Sequence, residues 1–195
     1  MSAQNSGFKR YTGTTMAIHW LSAILVLAAF ATGLDGPARV IFSDTSLFDR
    51  QLHETLGLTV VGLSVVRMVW RLIDRRHTPH LPMPGWMQKV SKATQGALYL
   101  LLIAVPVTGL ITVGMGGHGV DLLGGLHLVP PAPLNEPLSH QLGDIHKWLG
   151  DAILWVAGVH AAAALFHHYI LRDGVLSSML PARVSARLPG PKPVA

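Results

Sequence analysis

Four stretches of this chain run for about twenty residues with little or no charge, and what separates them is short, polar and rich in glycine and proline. The first, Thr12 to Leu34, is long enough to cross a ~30 Å hydrocarbon layer as a helix, and its threonines offer N-caps. The second, Leu52 to Leu72, opens on His53-Glu54 and contains Arg67 and Arg71 near its end, four apart on one face and placed to snorkel. The third, Ala93 to Val113, contains Pro106, which predicts a kink. The fourth, Asp144 to Leu171, has no charge between Asp151 and Arg172.

The connections are Asp35 to Arg50, a proline-rich turn from Asp74 to Pro84, and a long irregular piece from Gly114 to Leu142. Within that last piece, Leu122 to Val129 is expected to lie on the membrane surface as a short helix. Met1–Gly7 is polar and expected to fray. A secretory signal peptide is the other reading of the N-terminus, with Lys9 and Arg10 ahead of the apolar run and Ala29-Phe30-Ala31 as a cleavage-like triplet. The run is too long for that, and His19-Trp20 near its start do not suit one. One four-helix domain over 1–181 is expected, followed by a basic, proline-rich flexible tail over 182–195.

Composition agrees. Half of the 195 residues are hydrophobic and 13% are charged, where a soluble domain is nearer a quarter charged. The expected fold is an all-α membrane protein, a four-transmembrane-helix bundle. There is no cysteine, which excludes disulfides, thiolate metal sites and iron–sulfur clusters. The pI near 10.0 does not imply nucleic acid as a partner, because the basic residues fall in particular loops rather than on one face.

Of the 15 lysines and arginines, the two termini, the second connection and the helix ends beside it hold all but Arg39, Arg50 and Lys147. The positive-inside rule then puts both termini in the cytoplasm. Reporter fusions after Leu34 and after Val113 are expected to read as periplasmic, and a cytoplasmic reading at either would overturn the four-span topology.

That topology sorts the histidines by depth. His146 and His160 are fourteen residues apart, so at ~100° per residue they share one helix face to within ~40°, about 21 Å apart along the axis. His53 begins the second span on the outer side, level with His146, and His19 lies near the cytoplasmic end of the first, level with His160. Imidazoles within a bilayer are costly unless they face the bundle interior and bind something. Each alone could be an interhelical hydrogen-bonding residue, but paired depths on three helices are hard to obtain that way. Zinc or copper would want carboxylates or thiolates that neither level supplies.

Two imidazoles facing each other across a bundle are what a six-coordinate haem iron needs, and without cysteine the haem is non-covalent, of b type. Gly13, Gly57, Gly62, Gly143, Gly150 and Gly158 leave room for a flat macrocycle. His167 and His168 are adjacent and face different sides, as interfacial anchors or as quinone ligands. His77, His80, His118, His127 and His140 sit in loops and carry no specific signal.

Ile18-His19-Trp20, Leu52-His53-Glu54-Thr55-Leu56-Gly57, the run from Tyr99 through Val105-Pro106 to Gly109, and Gly158-Val159-His160 through Phe166-His167-His168-Tyr169 resemble the bacterial di-haem cytochrome b561 family. The likeness covers about Arg10 to Pro181. It implies two b-type haems ligated by His19, His53, His146 and His160, and electron exchange with ubiquinone in the bacterial inner membrane. It also implies, from some members, oxidation of superoxide at the outer face. His167, Arg67 and Arg71 match family positions near the inner haem, and Gln95 stands where some relatives place a histidine.

The expected function is a transmembrane relay of single electrons from a periplasmic donor, superoxide, to ubiquinone. The alternative is a haem-b module serving a separate donor protein such as a dehydrogenase or hydrogenase. The outer rim is acidic overall. Lys147 directly follows His146, however, and Arg50 lies three residues before His53, so two cations could focus an anion within a Debye length of ~8 Å. On the alternative reading the acidic rim docks a basic protein.

Overall fold

Backbone groups that enter hydrocarbon must bond within their own segment, and these apolar runs do so as helices. The computed structural model describes residues 10–33, 47–79 and 83–188. Among them are four helices long and apolar enough to cross a membrane: α1 (Gly13–Ala31), α2 (Leu47–Ile73), α3 (Gly85–Met115) and α4 (Glu136–Phe166). A 3-10 turn, Asp74–His77, finishes α2, and α4 widens into a π-helical turn over His167–Leu171. Two single-turn helices follow, α5 (Val175–Ser178) and α6 (Ala182–Ser185). The chain is a multi-pass, mostly helical membrane bundle.

Three helices start ahead of their apolar runs. α3 starts eight residues before Ala93 and α4 eight before Asp144, because amphipathic turns extend past the hydrocarbon. Asn135 caps α4 by accepting the Leu138 N–H at 3.1 Å. Pro106 does not end α3, which runs through it.

Leu122 to Val129 is not a surface helix. Val120–Asp121 (β1) and His127–Leu128 (β2) pair antiparallel, around Gly124 and Gly125 at φ 95° and 82°, a backbone that favours glycine. The hairpin is fastened to the outer end of α2: the Asp121 N–H donates to Glu54 Oε2 at 2.7 Å, and the Leu123 N–H to Thr55 Oγ1 at 3.0 Å. The fraying at Met1–Gly7, the Asp35 to Arg50 loop as far as residue 46, His80 and the tail from residue 189 lie outside the described residues.

α3 packs along α4, α1 along α2, and α2 on α3, whereas α1 and α2 make few close backbone approaches to α4. The buried core is Val60, Leu102 and Ile153, backed by Leu25, Val26, Leu98, Leu101 and Val105. Ile153 is seven residues from each of His146 and His160, so this plug sits at mid-depth, roughly 10 Å of helical rise from either.

The outer faces are apolar as well, with Trp155 78% and Leu100 70% exposed. An apolar belt of that extent suits lipid rather than water. At the end of the bundle where α1 begins, Thr12 caps α1, and Thr12 and Thr15 donate their hydroxyls to Asp74 at 2.7 and 2.6 Å, tying α1 to the end of α2. The segment after α4 folds back against α1, where the Trp20 indole N–H donates to the Met179 carbonyl at 2.9 Å.

Candidate cofactor site

The two helix pairs with sparse backbone contact are the ones that bring their histidines together. His53 of α2 faces His146 of α4 with ring centroids 6.1 Å apart, and His19 of α1 faces His160 of α4 at 6.3 Å. A metal–imidazole bond is about 2 Å, so a metal between two rings sets their centroids roughly 6 Å apart. Both pairs meet that spacing.

Tautomer supports the same use at the outer level. His53 Nδ1 lies 2.7 Å from the Ala29 carbonyl, and His146 Nδ1 2.8 Å from that of Val105. A carbonyl only accepts, so both Nδ1 atoms carry the proton and each Nε2 keeps its lone pair for a metal. The rings border a cavity of about 850 Å³ whose walls include Gly57, Gly143, Gly150 and Val60. Gly109 lets the helices close here: a Cβ on it would stand 2.9 Å from His146 Cε1. Of the other small residues, Gly13, Gly62 and Gly158 lie on exposed helix faces. At the His53/His146 level, room, paired ligands and tautomer fit a flat iron macrocycle.

The outer cations have partners that the sequence did not reveal. Arg50 and Lys147 both border the cavity, with Glu54, His118 and Asp151. Arg50 pairs with Glu54 at 2.8 Å and donates to the Gly119 carbonyl at 2.8 Å. Its charge is balanced, and it helps Glu54 hold the hairpin. His118 reaches the cavity because the hairpin is pinned there. No spacing in the chain signals it.

At the inner level Arg67 turns inward instead of snorkelling, and its Nη2 donates to His19 Nδ1 at 3.0 Å, which places the proton of a neutral His19 on Nε2. Arg67 and Arg71 stack over the Tyr99 ring at 5.4 and 5.6 Å, and Arg71 donates to Gln95 Oε1 at 3.2 and 3.3 Å. Arg67, Arg71 and Gln95 therefore form one cluster around Tyr99. His167 is engaged differently, by the carboxylate of Asp173. Its neighbour His168 is 2% exposed, with no partner for Nε2. Adjacency in a regular helix predicts different sides for the two, and in the π-helical turn both are largely enclosed.

Facing imidazole pairs between membrane helices, without any cysteine, define a membrane-embedded scaffold of the b-cytochrome class. A model of the prokaryotic cytochrome b561 family matches residues 10–182, and the chain belongs to that family. It is thus a membrane electron-transfer protein with b-type haem as its cofactor. Among its relatives, cytochrome b561 homolog 2 of Escherichia coli is 30% identical over 177 residues, covering 88% of this chain and 92% of that one. A probable superoxide oxidase CybB of Yersinia pestis is 30% identical over 178 residues, 90% and 98% of the two chains. A cytochrome b562 of Cereibacter sphaeroides is 29% identical over 183 residues, 89% and 96%.

Proposed function

We propose that this chain holds two b haems, one between His53 and His146 and one between His19 and His160, and relays electrons from the periplasmic face to ubiquinone in the inner membrane. Both termini are cytoplasmic on this reading. The observation that carries it is the pair of imidazole couples at matching spacing, each on helices that leave space between their backbones. Held there by His53 and His146 and by His19 and His160, haem would supply a one-electron carrier, with both imidazoles of each pair taking the positions that O₂ would need.

The chain's own residues do the remainder. The Ala29 and Val105 carbonyls fix the outer rings, and the mid-depth plug of Val60, Leu102 and Ile153 keeps water out of the bundle centre. Arg67, Arg71 and Gln95 offer hydrogen-bond donors to a quinone head at the inner level. His167, bonded to Asp173, supplies a route for its protons. The donor in this reading is superoxide, which loses one electron and leaves as O₂. Two such electrons and two protons convert ubiquinone to ubiquinol. Lys147, beside His146 on the cavity wall, draws the anion in. Arg50 adds little field, being paired with Glu54.

That pairing favours a second reading, in which the acidic rim docks a basic donor protein such as a dehydrogenase or hydrogenase subunit. Stopped-flow mixing of the oxidised protein with superoxide separates the two. We expect fast haem reduction that slows as salt rises, and a drop of about tenfold for Lys147→Gln, at the lower end of electrostatic steering effects. Reduction that is slow and unchanged by Lys147→Gln would leave the protein-donor reading standing.

A further inference from the structure

The cavity beside His53 and His146 has two unlike ends. Its inner end is closed by the plug of Val60, Leu102 and Ile153, all buried and all on the cavity wall. Its outer end carries Arg50 and His118. Arg50 precedes His53 by three residues, about 4.5 Å of helical rise nearer the start of α2, and 39% of its side chain is exposed. His118 follows the end of α3, where its N–H donates to the Val113 carbonyl at 3.0 Å. Val120, two residues on, is 3% exposed and closes the wall beside it.

Both groups are fixed in place and still have donors to offer. Arg50 Nε donates to Glu54 Oε1 at 2.8 Å and Nη2 to the Gly119 carbonyl at 2.8 Å. These two bonds do not exhaust the donors of a guanidinium. Because Gly119 adjoins His118, the same arginine steadies the backbone that carries His118. The His118 ring nitrogens have no hydrogen-bond partner among the described residues. Glu54, by contrast, is engaged through both oxygens, Oε1 by Arg50 and Oε2 by the Asp121 N–H at 2.7 Å. Ser139, also on the wall, gives its hydroxyl to the Thr112 carbonyl at 2.8 Å.

A b-type haem is a flat apolar macrocycle with carboxylates along one edge. An ionised carboxylate set against the apolar plug would be buried without a partner, which is costly. Asp151, on the wall five residues further in than His146, would repel it. The outer end offers it water and hydrogen-bond donors instead. We propose that Arg50 and His118 form the carboxylate-binding end of the outer site and so fix which edge of the macrocycle faces out. This rests on the reading above that haem sits between His53 and His146. The ion pair with Glu54 balances the field of Arg50 at a distance but leaves its remaining N–H groups able to donate at close range. The hairpin is then part of the cofactor site, since its anchorage delivers His118 to the cavity.

The test is the rate at which purified protein gives up its outer haem to excess apomyoglobin, in a His160→Ala background so that one site reports. Arg50→Gln and His118→Gln should each speed release about tenfold, the effect of losing one hydrogen bond to a charged group. The dimethyl ester of haem, exchanged into the same proteins, has no ionised carboxylate to hold. It should leave the unsubstituted site faster than haem does, and neither substitution should speed it further. Haem release at the unsubstituted rate in either variant overturns the inference. So does an equal acceleration for haem and for its ester, because the side chains would then serve only to hold the hairpin. Failure of the reading beneath it is separate and is measured first: His146→Ala, in an otherwise native chain, would keep its haem content and low-spin spectrum.

Discussion

Replacing His160 by alanine is expected to halve the haem content of the purified protein, from two per chain to one, and to spare the outer centre. His160 and His19 face each other at 6.3 Å, and alanine offers the metal nothing. The helix itself should tolerate the change, since alanine is the best helix former. His146 and His53 lie on the far side of the plug at Ile153, with their own carbonyl partners untouched. His146→Ala should produce the mirror result. A pyridine haemochrome assay gives the count, and the absorption spectrum shows whether any haem left on His19 alone has gone from low spin to high spin. Unchanged haem content together with an unchanged low-spin spectrum in His160→Ala would sink the assignment.

The second large effect comes from a residue that touches no metal. Gly109 presents bare backbone to the His146 ring, and a Cβ there would lie 2.9 Å from Cε1 and 3.1 Å from Nδ1. Neither atom has room, because the ring is held by the Val105 carbonyl at 2.8 Å on the same helix. Gly109→Ala must push the ring out of its hydrogen bond, and losing such a partner typically weakens metal binding by roughly 10–100-fold. Gly109→Leu should empty the outer site altogether. Gly62→Ala is the control: nothing lies within 4 Å of its Cβ position, and the residue faces outward. Haem retention through purification and dialysis reads the difference. Equal retention in Gly109→Leu and Gly62→Ala would remove Gly109 from the site.

The parts of this architecture that were legible in the chain are those that hydropathy and helical geometry control. Four apolar runs give four helices, and fourteen residues between His146 and His160 put two imidazoles on one face whatever surrounds them. Since lipid forbids an unpaired backbone, little else was available to those segments.

The outer cover was not legible, because it is made by contacts distant in sequence. Glu54 and Thr55 capture the N–H groups of Asp121 and Leu123, and without those anchors Leu122 to Val129 reads as an amphipathic helix. Arg50 was visible as a cation near His53, but its ion pair with Glu54 depends on rotamers. Arg67 read as a snorkelling residue, since Tyr99 and His19, which turn it inward, belong to other helices. The π-helical turn at His167–Leu171 breaks the periodicity from which different sides for His167 and His168 were inferred.

α4 contributes one imidazole to each level, and it runs without interruption from one to the other. The separation of the two levels is therefore a property of a single rigid rod and not of how four helices happen to settle against each other. Thermal sliding of α1 or α2 in the bilayer changes the grip at one end without stretching the gap between the ends. Electron tunnelling falls off exponentially with distance, so on the two-haem reading proposed above a gap set by one continuous helix would give a transfer rate insensitive to bilayer thickness, lateral pressure and the fluctuations of the loops.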